Sequence, residues 1–242
     1  MTNATVNQLL FVMLPYVALF TFFIGTIMRY RKAPFSYSSL SSQFLENNQH
    51  FWGVTALHYG IITILLGHLM GLLIPRQVLM WNSIPLRLYV LEIFSLACAL
   101  LALVGLLGTI ERRIRNAKAR KVTSLADWII EIMLILQVIA GIYVGVFRPW
   151  GTAWYSISAA PYLRSIFFFS PDTGYLTTMP LIVKLHVVNA WLIVGLFPFT
   201  RLVHVLVAPL PYLWRKPQLV RWYGVRILPL RGRGVGGARG QG

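Results

Sequence analysis

The chain has 242 residues, of which 57% are hydrophobic and 12% are charged, and its formal net charge is +16. A soluble domain normally carries about a quarter charged residues, so this composition excludes an ordinary water-soluble protein and indicates that lipid surrounds most of the chain. The single cysteine, Cys98, excludes an internal disulfide and a cysteine-ligated iron–sulfur cluster, because both need several thiols.

Five apolar segments follow one another along the chain, and each is long enough to cross a bilayer as a helix, which needs roughly 20 residues. Backbone polar groups must be paired inside lipid, so we predict that each segment is helical. No repeat of fixed period and no second folded domain are visible. The sequence predicts an all-α membrane protein with five transmembrane helices, which run approximately from Asn7 to Met28, Phe51 to Ile74, Leu88 to Ile110, Trp128 to Phe147 and Leu181 to Val207.

The basic residues indicate the orientation. If the N-terminus lies outside, sixteen lysines and arginines fall on cytoplasmic segments and four on outside segments. This bias predicts that the N-terminus is outside and the C-terminus is cytoplasmic. It also accounts for the net charge of +16, which in a soluble protein would favour nucleic acid. We therefore expect no nucleic-acid partner.

Two further segments have distinct compositions. The outer loop over residues 148–180 is rich in aromatic residues, which often lie at the headgroup level, and part of it is predicted to be an interfacial helix. Residues 231–242 are mostly glycine and arginine and are predicted to form a disordered tail. Residues 1–230 are expected to form one transmembrane domain.

Four histidines lie inside predicted helices, where an ionisable group indicates function. His58 and His68 belong to the second helix, and His186 and His204 to the fifth. Because the two helices run in opposite directions, His58 and His204 are predicted to lie near the cytoplasm, and His68 and His186 near the outside. One histidine from each helix at each of two depths is the arrangement that two bis-histidine haems require. The fifth histidine, His50, is predicted to be an ordinary interfacial residue.

An alternative is a metal or proton transporter, which would need acidic partners at the depth of the histidines. Only Glu92 and Glu131 are available within the helices, and both lie near helix ends. The pattern favours haems over transport. The haems are expected to be of b type, because the chain has no Cys-x-x-Cys-His motif for covalent attachment.

Helical geometry supports the pairing in part. His186 and His204 are 18 residues apart, which is five turns of a continuous helix, although Pro198 between them is a candidate kink site. Four glycines share one face of the second helix, and they favour either a flat, bulky ligand or close packing of another helix. These glycines are Gly53, Gly60, Gly67 and Gly71.

Two basic residues accompany the histidines of the fifth helix. Lys184 lies two residues before His186, and Arg201 lies three residues before His204. Haem propionates are anionic, so these side chains are candidate propionate partners. The alternative is that they extend toward lipid headgroups.

A family resemblance is carried mainly by the stretch from Leu196 to His204, Leu-Phe-Pro-Phe-Thr-Arg-Leu-Val-His. Together with the residues that follow it, this stretch closely resembles the end of the gamma subunit of respiratory nitrate reductase. Lys184-Leu185-His186 is similar to the family's Arg-Leu-His. Further matches are Arg29-Tyr30, the six residues from Ser41 to Glu46, His58 with Gly60, Gly67 with His68, and Gly71 with Pro75.

The resemblance implies two b-type haems in a five-helix bundle, with His68 and His186 binding the outer haem and His58 and His204 the inner one. It implies that quinol is oxidised near the outer haem of a protein in the prokaryotic inner membrane. Electrons would then pass to an iron–sulfur beta subunit and a molybdenum-cofactor alpha subunit on the cytoplasmic face, which reduces nitrate.

The resemblance also implies a quinol site, at which this sequence departs from the family. The family has a lysine four residues after a proline at the start of the third helix, whereas here Pro85 is followed at that spacing by Tyr89. Arg87 is the nearest basic residue, and Gly67 matches a family residue beside the quinol. The candidate quinol-site residues are therefore Gly67, Arg87 and Tyr89.

Two other functions stay open at this stage. Related cytochrome b subunits serve heterodisulfide-reductase-like, sulfite-reducing or nitrite-oxidising complexes, and the altered quinol region leaves room for one of these. A non-redox transporter or passive anchor is the remaining alternative, which four paired intramembrane histidines disfavour.

Overall fold

A computed structural model describes residues 3–33, 36, 51–148 and 151–207 of the chain, and this described part is helical, with no strand. Five helices are long and apolar enough to cross a membrane. They are α1 (Ala4–Lys32), α2 (Gly53–Leu73), α3 (Pro85–Arg115), α4 (Leu125–Phe147) and α5 (Leu181–Phe199). The predicted all-α fold with five membrane-spanning helices is confirmed. The predicted orientation of the termini stays a prediction.

Proline and capping residues set several helix boundaries. α2 ends at Leu73, and its C-cap residue, Ile74, directly precedes Pro75. α3 begins with Pro85 in its first turn, a position that tolerates a missing N–H. α4 begins with a capping box, in which Ser124 and Asp127 each accept a hydrogen bond from the other's backbone N–H. Within α1, a π-helical turn at Leu9–Met13 precedes Pro15, whose ring cannot continue regular α-helical hydrogen bonding.

Shorter helices lie between the five spans and after the last of them. Those of the described residues are Pro75–Asn82, Ala117–Lys121, Gly151–Trp154, the π-helical turn Tyr155–Ala159, Ala160–Phe167, Gly174–Thr177 and the 3-10 helix Arg201–Val207. The outer loop is thus partly helical, as predicted. It packs against α1, where the Tyr162 hydroxyl donates to the Phe11 carbonyl at 2.9 Å. Tyr162 is fully buried, so this part of the loop lies within the protein.

The spans pack in the order α2, α3, α4, α5 and α1, each against the next. α2 and α3 meet through two glycines, because a Cβ atom added at Gly60 would lie 2.6 Å from the Ala102 nitrogen. One added at Gly105 would lie 2.4 Å from the Leu57 nitrogen. The backbones of α2 and α5, by contrast, are not closely packed against each other. Gly60 therefore serves helix packing, the second of the two functions considered for the glycine face.

The backbone contact at Gly105 yields a stability prediction. We expect Gly105→Ala to lower the free energy of unfolding by about 1–3 kcal/mol, because the added methyl group overpacks against the α2 backbone. Gly145→Ala in α4 is the matched control, since nothing lies within 4 Å of its added Cβ. Thermal unfolding in detergent would compare the two variants, and equal stability would contradict a close α2–α3 crossing.

The predicted fifth helix, approximately Leu181 to Val207 with a candidate kink site at Pro198, is interrupted in the structure. The α-helix ends at Leu196 and a 3-10 turn, Phe197–Phe199, follows. Thr200 is extended, with φ −114° and ψ 178°. Pro198 lacks an N–H and clashes with a preceding carbonyl, which breaks the regular pattern. The argument from five straight turns between His186 and His204 therefore does not hold.

Some sequence predictions fall outside the described residues. They concern His50, the stretch from Ser41 to Glu46, and the tail over residues 231–242 together with the domain boundary at residue 230.

Candidate functional site

The four intramembrane histidines form two pairs. The ring centroids of His58 and His204 are 6.1 Å apart, and those of His68 and His186 are 6.5 Å apart. The first member of each pair lies on α2, while His186 lies on α5 and His204 in the 3-10 helix after it. The rings therefore meet across a space in which the two helix backbones do not pack closely. The structure thus brings together the histidines that the sequence analysis paired, and their binding of haem stays a prediction.

The spacing of the rings suits two imidazoles that share one metal. A metal–imidazole bond is about 2.0 Å long, so two imidazoles on opposite sides of a metal have ring centroids about 6 Å apart. Within the described residues, no group of three or more His, Cys, Asp or Glu side chains could hold a metal ion. Two ligands per site are too few for a structural zinc but are the axial set of a bis-histidine haem. The residues present thus fit a haem at each pair.

Hydrogen bonds orient three of the four rings. A backbone carbonyl can only accept, so an Nδ1 atom bonded to one must carry the hydrogen. The other ring nitrogen, Nε2, then keeps a lone pair that can bind a metal. The Nδ1 atoms of His58, His68 and His204 lie 2.7, 2.9 and 2.6 Å from the carbonyl oxygens of Val54, Ile64 and Arg201, respectively.

His186 is held differently. Its Nε2 atom lies 3.1 Å from the Gln137 side-chain nitrogen, and its Nδ1 atom is buried without a partner among the described residues. Asn189 in turn donates to the Gln137 side-chain oxygen at 2.7 Å. Because the Gln137 amide donates, His186 has the tautomer with a lone pair on Nε2. The sequence analysis missed Gln137 and Asn189, although a polar side chain inside an apolar span was the available signal.

Tyr155, in the predicted outer loop, contacts His68 of the His68–His186 pair, which we call the outer pair after its predicted depth. Its ring lies edge-on to His68, with ring centroids 5.2 Å apart, and its hydroxyl donates to the His68 carbonyl at 2.9 Å. The ring occupies the space above Gly71, where an added Cβ would lie 2.7 Å from a Tyr155 ring carbon. Burial raises the pKa of Tyr155 to about 12, so the phenol stays a hydrogen-bond donor across the physiological range. In the sequence, Tyr155 was one aromatic among several in a loop.

The Tyr155 contact yields a second prediction. Tyr155→Phe is expected to lower the free energy of unfolding by about 1 kcal/mol, because one hydrogen bond is lost. The raised pKa adds a pH dependence. Between pH 10.0, where an ordinary phenol ionises, and about pH 12, Tyr155 ionises more readily in the unfolded chain, so the wild type loses stability over that range and the variant does not. Thermal unfolding at neutral and alkaline pH would test both effects. Tyr143→Phe on α4, whose side chain is exposed, is the control.

The structure does not bring the candidate quinol residues into one contact. A Cβ added at Gly67 would meet nothing within 4 Å, so neither Arg87 nor Tyr89 touches that position. The Arg87 guanidinium lies over the Trp81 ring, 4.9 Å from its centroid. Tyr89 is exposed on α3. Gly67 is thus the member of the glycine face that leaves open space beside a histidine of the outer pair.

Both candidate propionate partners bind protein oxygens. The Lys184 ammonium donates to the Thr177 carbonyl at 2.7 Å. The Arg201 Nε atom lies 3.1 Å from the Asp127 carboxylate, which is almost fully buried.

A second ion pair lies in the same region of α4. Arg113 contacts the Glu131 carboxylate at 2.8 Å, and the Thr109 hydroxyl donates to its other oxygen. The intramembrane carboxylate considered for a transporter is therefore engaged by α3 rather than by a histidine.

The sequence relationships agree with this arrangement. Residues 7–223 match the profile of the nitrate reductase gamma subunit family. The chain belongs to this family. It is 32% identical over 212 residues to the nitrate reductase gamma chain of Bacillus subtilis, a match that covers 86% of this chain and 95% of the relative. It is 31% identical to the respiratory nitrate reductase 2 gamma chain of Escherichia coli, covering 86% and 93%. A third relative, the respiratory nitrate reductase 1 gamma chain of Escherichia coli, is 29% identical, covering 89% and 97%.

Membership of the nitrate reductase gamma family fixes the broad setting. The five apolar helices and the bacterial relatives make this chain a multi-pass membrane protein of a prokaryote. The family assigns it to an oxidoreductase complex of electron transport.

Proposed function

We propose that this chain is the membrane-anchoring cytochrome b subunit of a respiratory nitrate reductase, which oxidises quinol near the outer face and passes electrons inward. The observation that carries the proposal is the presence of two histidine pairs, His58 with His204 and His68 with His186. Each joins α2 to α5 or to the 3-10 helix after α5, and the ring centroids are 6.1 and 6.5 Å apart. Nitrate reductase gamma chains are haem-containing proteins, so membership of the family supports the same cofactor here.

Four residues are assigned as haem ligands. His68 and His186 would hold the outer haem, and His58 and His204 the inner one; at His186 the iron would take the place that the Gln137 amide holds at Nε2 in this structure. Bound there, two b-type haems would supply one-electron redox chemistry. The chain's own contribution is to fix the tautomer of three of the imidazoles, through the backbone carbonyls that His58, His68 and His204 bond at Nδ1. The proposed roles of Lys184 and Arg201 as propionate partners stay predictions.

The quinol site is assigned to the side of the outer pair that Gly67 leaves open. Gly67 directly precedes His68, and the space above it would accept a flat ring. Tyr155 is fixed on the same histidine by its hydrogen bond to the His68 carbonyl, so its ring would form one wall of the site. Arg87 and Tyr89, at the start of α3, stay candidate quinol residues, although neither lies against Gly67 in this structure.

The direction of electron flow follows from the predicted orientation. Protons from quinol would leave on the outside, while electrons cross to the cytoplasmic side, where an iron–sulfur beta subunit and a molybdenum-cofactor alpha subunit would receive them. Moving one charge against 100 mV stores about 2.3 kcal/mol, so this arrangement conserves energy. The basic segment between Arg112 and Lys121 gives the cytoplasmic face the charge to dock an acidic partner.

A visible spectrum would test the proposal. The complex, purified from membranes with its native partners, should show two non-covalent b haems per chain in a reduced-minus-oxidised spectrum and a pyridine haemochrome assay. Adding a reduced naphthoquinol should reduce both haems, and nitrate should then reoxidise them. Absence of haem would refute the proposal. Reduction by quinol without reoxidation by nitrate would instead assign the chain to another quinone-linked complex.

A further inference from the structure

His204, the proposed ligand of the inner haem, lies on a segment that is not a regular α-helix. After Leu196 the chain passes through a 3-10 turn, Phe197–Phe199, and an extended residue, Thr200, before the 3-10 helix that contains His204. An α-helix fixes its side chains through its own hydrogen bonds, but these are interrupted here. The position of His204 must therefore depend on contacts with other helices. We call residues 197–204 the inner-ligand segment.

α1 holds one side of the inner-ligand segment. The Arg29 guanidinium donates to the carbonyls of Pro198 and Thr200, both at 2.7 Å. It also binds Ser36, through the Ser36 hydroxyl at 3.0 Å and the Ser36 carbonyl at 2.9 Å. Gly25, one turn earlier, lets α1 approach closely, because a Cβ there would lie 2.9 Å from the Pro198 side chain. Arg29 thus satisfies two carbonyls at the break in the helix.

α4 holds the other side through a buried carboxylate. One Asp127 oxygen lies 3.1 Å from Arg201 Nε, and the other accepts the Ser124 backbone N–H at 2.9 Å. The Asp127 side chain is only 4% exposed, so this charge-assisted contact is largely shielded from water. The Arg201 guanidinium also donates to the Val122 carbonyl at 2.5 Å. The side chain of Arg201 is therefore anchored to the start of α4.

Arg201, whose side chain is anchored in this way, also orients the His204 imidazole through its carbonyl. His204 Nδ1 donates to the Arg201 carbonyl at 2.6 Å. The chain of contacts runs from Asp127 through Arg201 to the imidazole, while Arg29 fixes the carbonyl of the residue just before Arg201. Outer contacts of this kind set the orientation and basicity of a metal-bound histidine.

We propose that Arg29 and Asp127 are positioning residues for His204, acting from α1 and α4 on the inner-ligand segment. The inference rests on the proposed function, because it assumes that His204 binds a haem iron. Neither residue touches the imidazole itself. Their effect is to hold the carbonyl of Arg201, and hence the ring plane and the Nδ1 hydrogen bond of His204. The outer pair has its own contacts, with Tyr155, Gln137 and the Ile64 carbonyl, and does not depend on them.

The experiment uses the whole complex with its partner subunits, purified from membranes. Asp127→Asn removes the carboxylate charge, and Arg29→Lys keeps the charge but cannot donate to two carbonyls in the same way. Glu111→Gln is the matched control for the first, because Glu111 pairs with Arg115 at 3.1 Å on an exposed face of α3. Arg31→Lys is the control for the second, since Arg31 is exposed at the end of the same helix.

The measurements are potentiometric titration of haem absorbance and low-temperature electron paramagnetic resonance of the oxidised complex. His204→Ala identifies which spectral component belongs to the inner haem. We expect Asp127→Asn and Arg29→Lys to shift the midpoint potential and resonance position of that component, or to remove it, while the outer component stays unchanged. Both controls should leave both components as in the wild type.

The outcomes separate this inference from the proposed function. A wild-type complex without haem would overturn both. Two haems in the wild type, with both components unchanged in Asp127→Asn and Arg29→Lys, would overturn the inference and leave the proposed function standing. Equal loss of both haems in the two variants, with normal controls, would also overturn it, because the residues would then support folding in general. If Asp127→Asn alone fails to assemble, the milder Arg29→Lys decides by the same criteria.

Discussion

Replacing His186 by alanine is expected to remove one of the two b haems proposed above and to lower electron transfer from quinol to nitrate by more than about tenfold. Alanine offers no axial ligand, and the remaining His68 imidazole cannot hold the iron from both sides. His186 is one member of the outer pair, and its ring centroid lies 6.5 Å from that of His68. The pyridine haemochrome assay on the purified complex would measure the loss, and a reduced-minus-oxidised spectrum would show which component is missing.

The pairing of the histidines also predicts which substitutions should remove the same haem. His68→Ala should remove the same spectral component as His186→Ala, whereas His58→Ala and His204→Ala should both remove the other. His50→Ala, the fifth histidine, is the control and should keep both haems. If His68→Ala and His186→Ala removed different components, the assignment of pairs across α2 and α5 would be wrong.

The fold and the histidine pairs could be predicted from the sequence because both depend on simple physical rules. Long apolar segments in lipid must be helical, which fixes five spans. Antiparallel helices place residues near opposite ends at matching depths, which pairs His58 with His204 and His68 with His186. Neither step requires knowledge of side-chain contacts between distant residues.

The predictions that failed or stayed ambiguous depend on side-chain contacts between distant residues. The end of α5 was predicted as regular helix, although Pro198 marked a candidate kink, because nothing local shows that Arg29 would satisfy the carbonyls freed at the break. The glycine face was ambiguous for the same reason. The structure assigns Gly60 to packing against α3 and leaves Gly67 facing open space, a distinction that depends on where α3 lies.

The orientation of the ligands was also beyond sequence reasoning. Gln137 is 49 residues from His186 in the chain, and Asp127 pairs with Arg201 across an even larger separation. No periodicity links such residues, so only their presence as polar groups in apolar spans could have marked them. Arg201 is an example: the structure pairs it with the Asp127 carboxylate, a contact that nothing in the local sequence indicates, while its proposed role as a propionate partner stays a prediction.

Replacing Arg113 by alanine is expected to lower the free energy of unfolding by about 3 kcal/mol, because it leaves the Glu131 carboxylate buried without a counterion. The Arg113 guanidinium lies 2.8 Å from Glu131, and the Glu131 side chain is only 6% exposed. Arg113 itself is 25% exposed, which places the expected cost at the lower end for a buried pair. Thermal unfolding of the detergent-solubilised complex, followed by circular dichroism, would measure it.

The control for this pair lies two residues further along α3. Arg115 contacts Glu111 at 3.1 Å, but both side chains are exposed, so Arg115→Ala should cost less than about 1 kcal/mol. Replacing Arg113 and Glu131 together by methionine should recover much of the loss, because no unpaired charge is then buried. Equal effects of Arg113→Ala and Arg115→Ala would contradict the buried pair. Failure of the double variant to recover would contradict the unpaired Glu131 charge as the source of the loss, since the Thr109 hydroxyl keeps the Leu106 carbonyl as an acceptor.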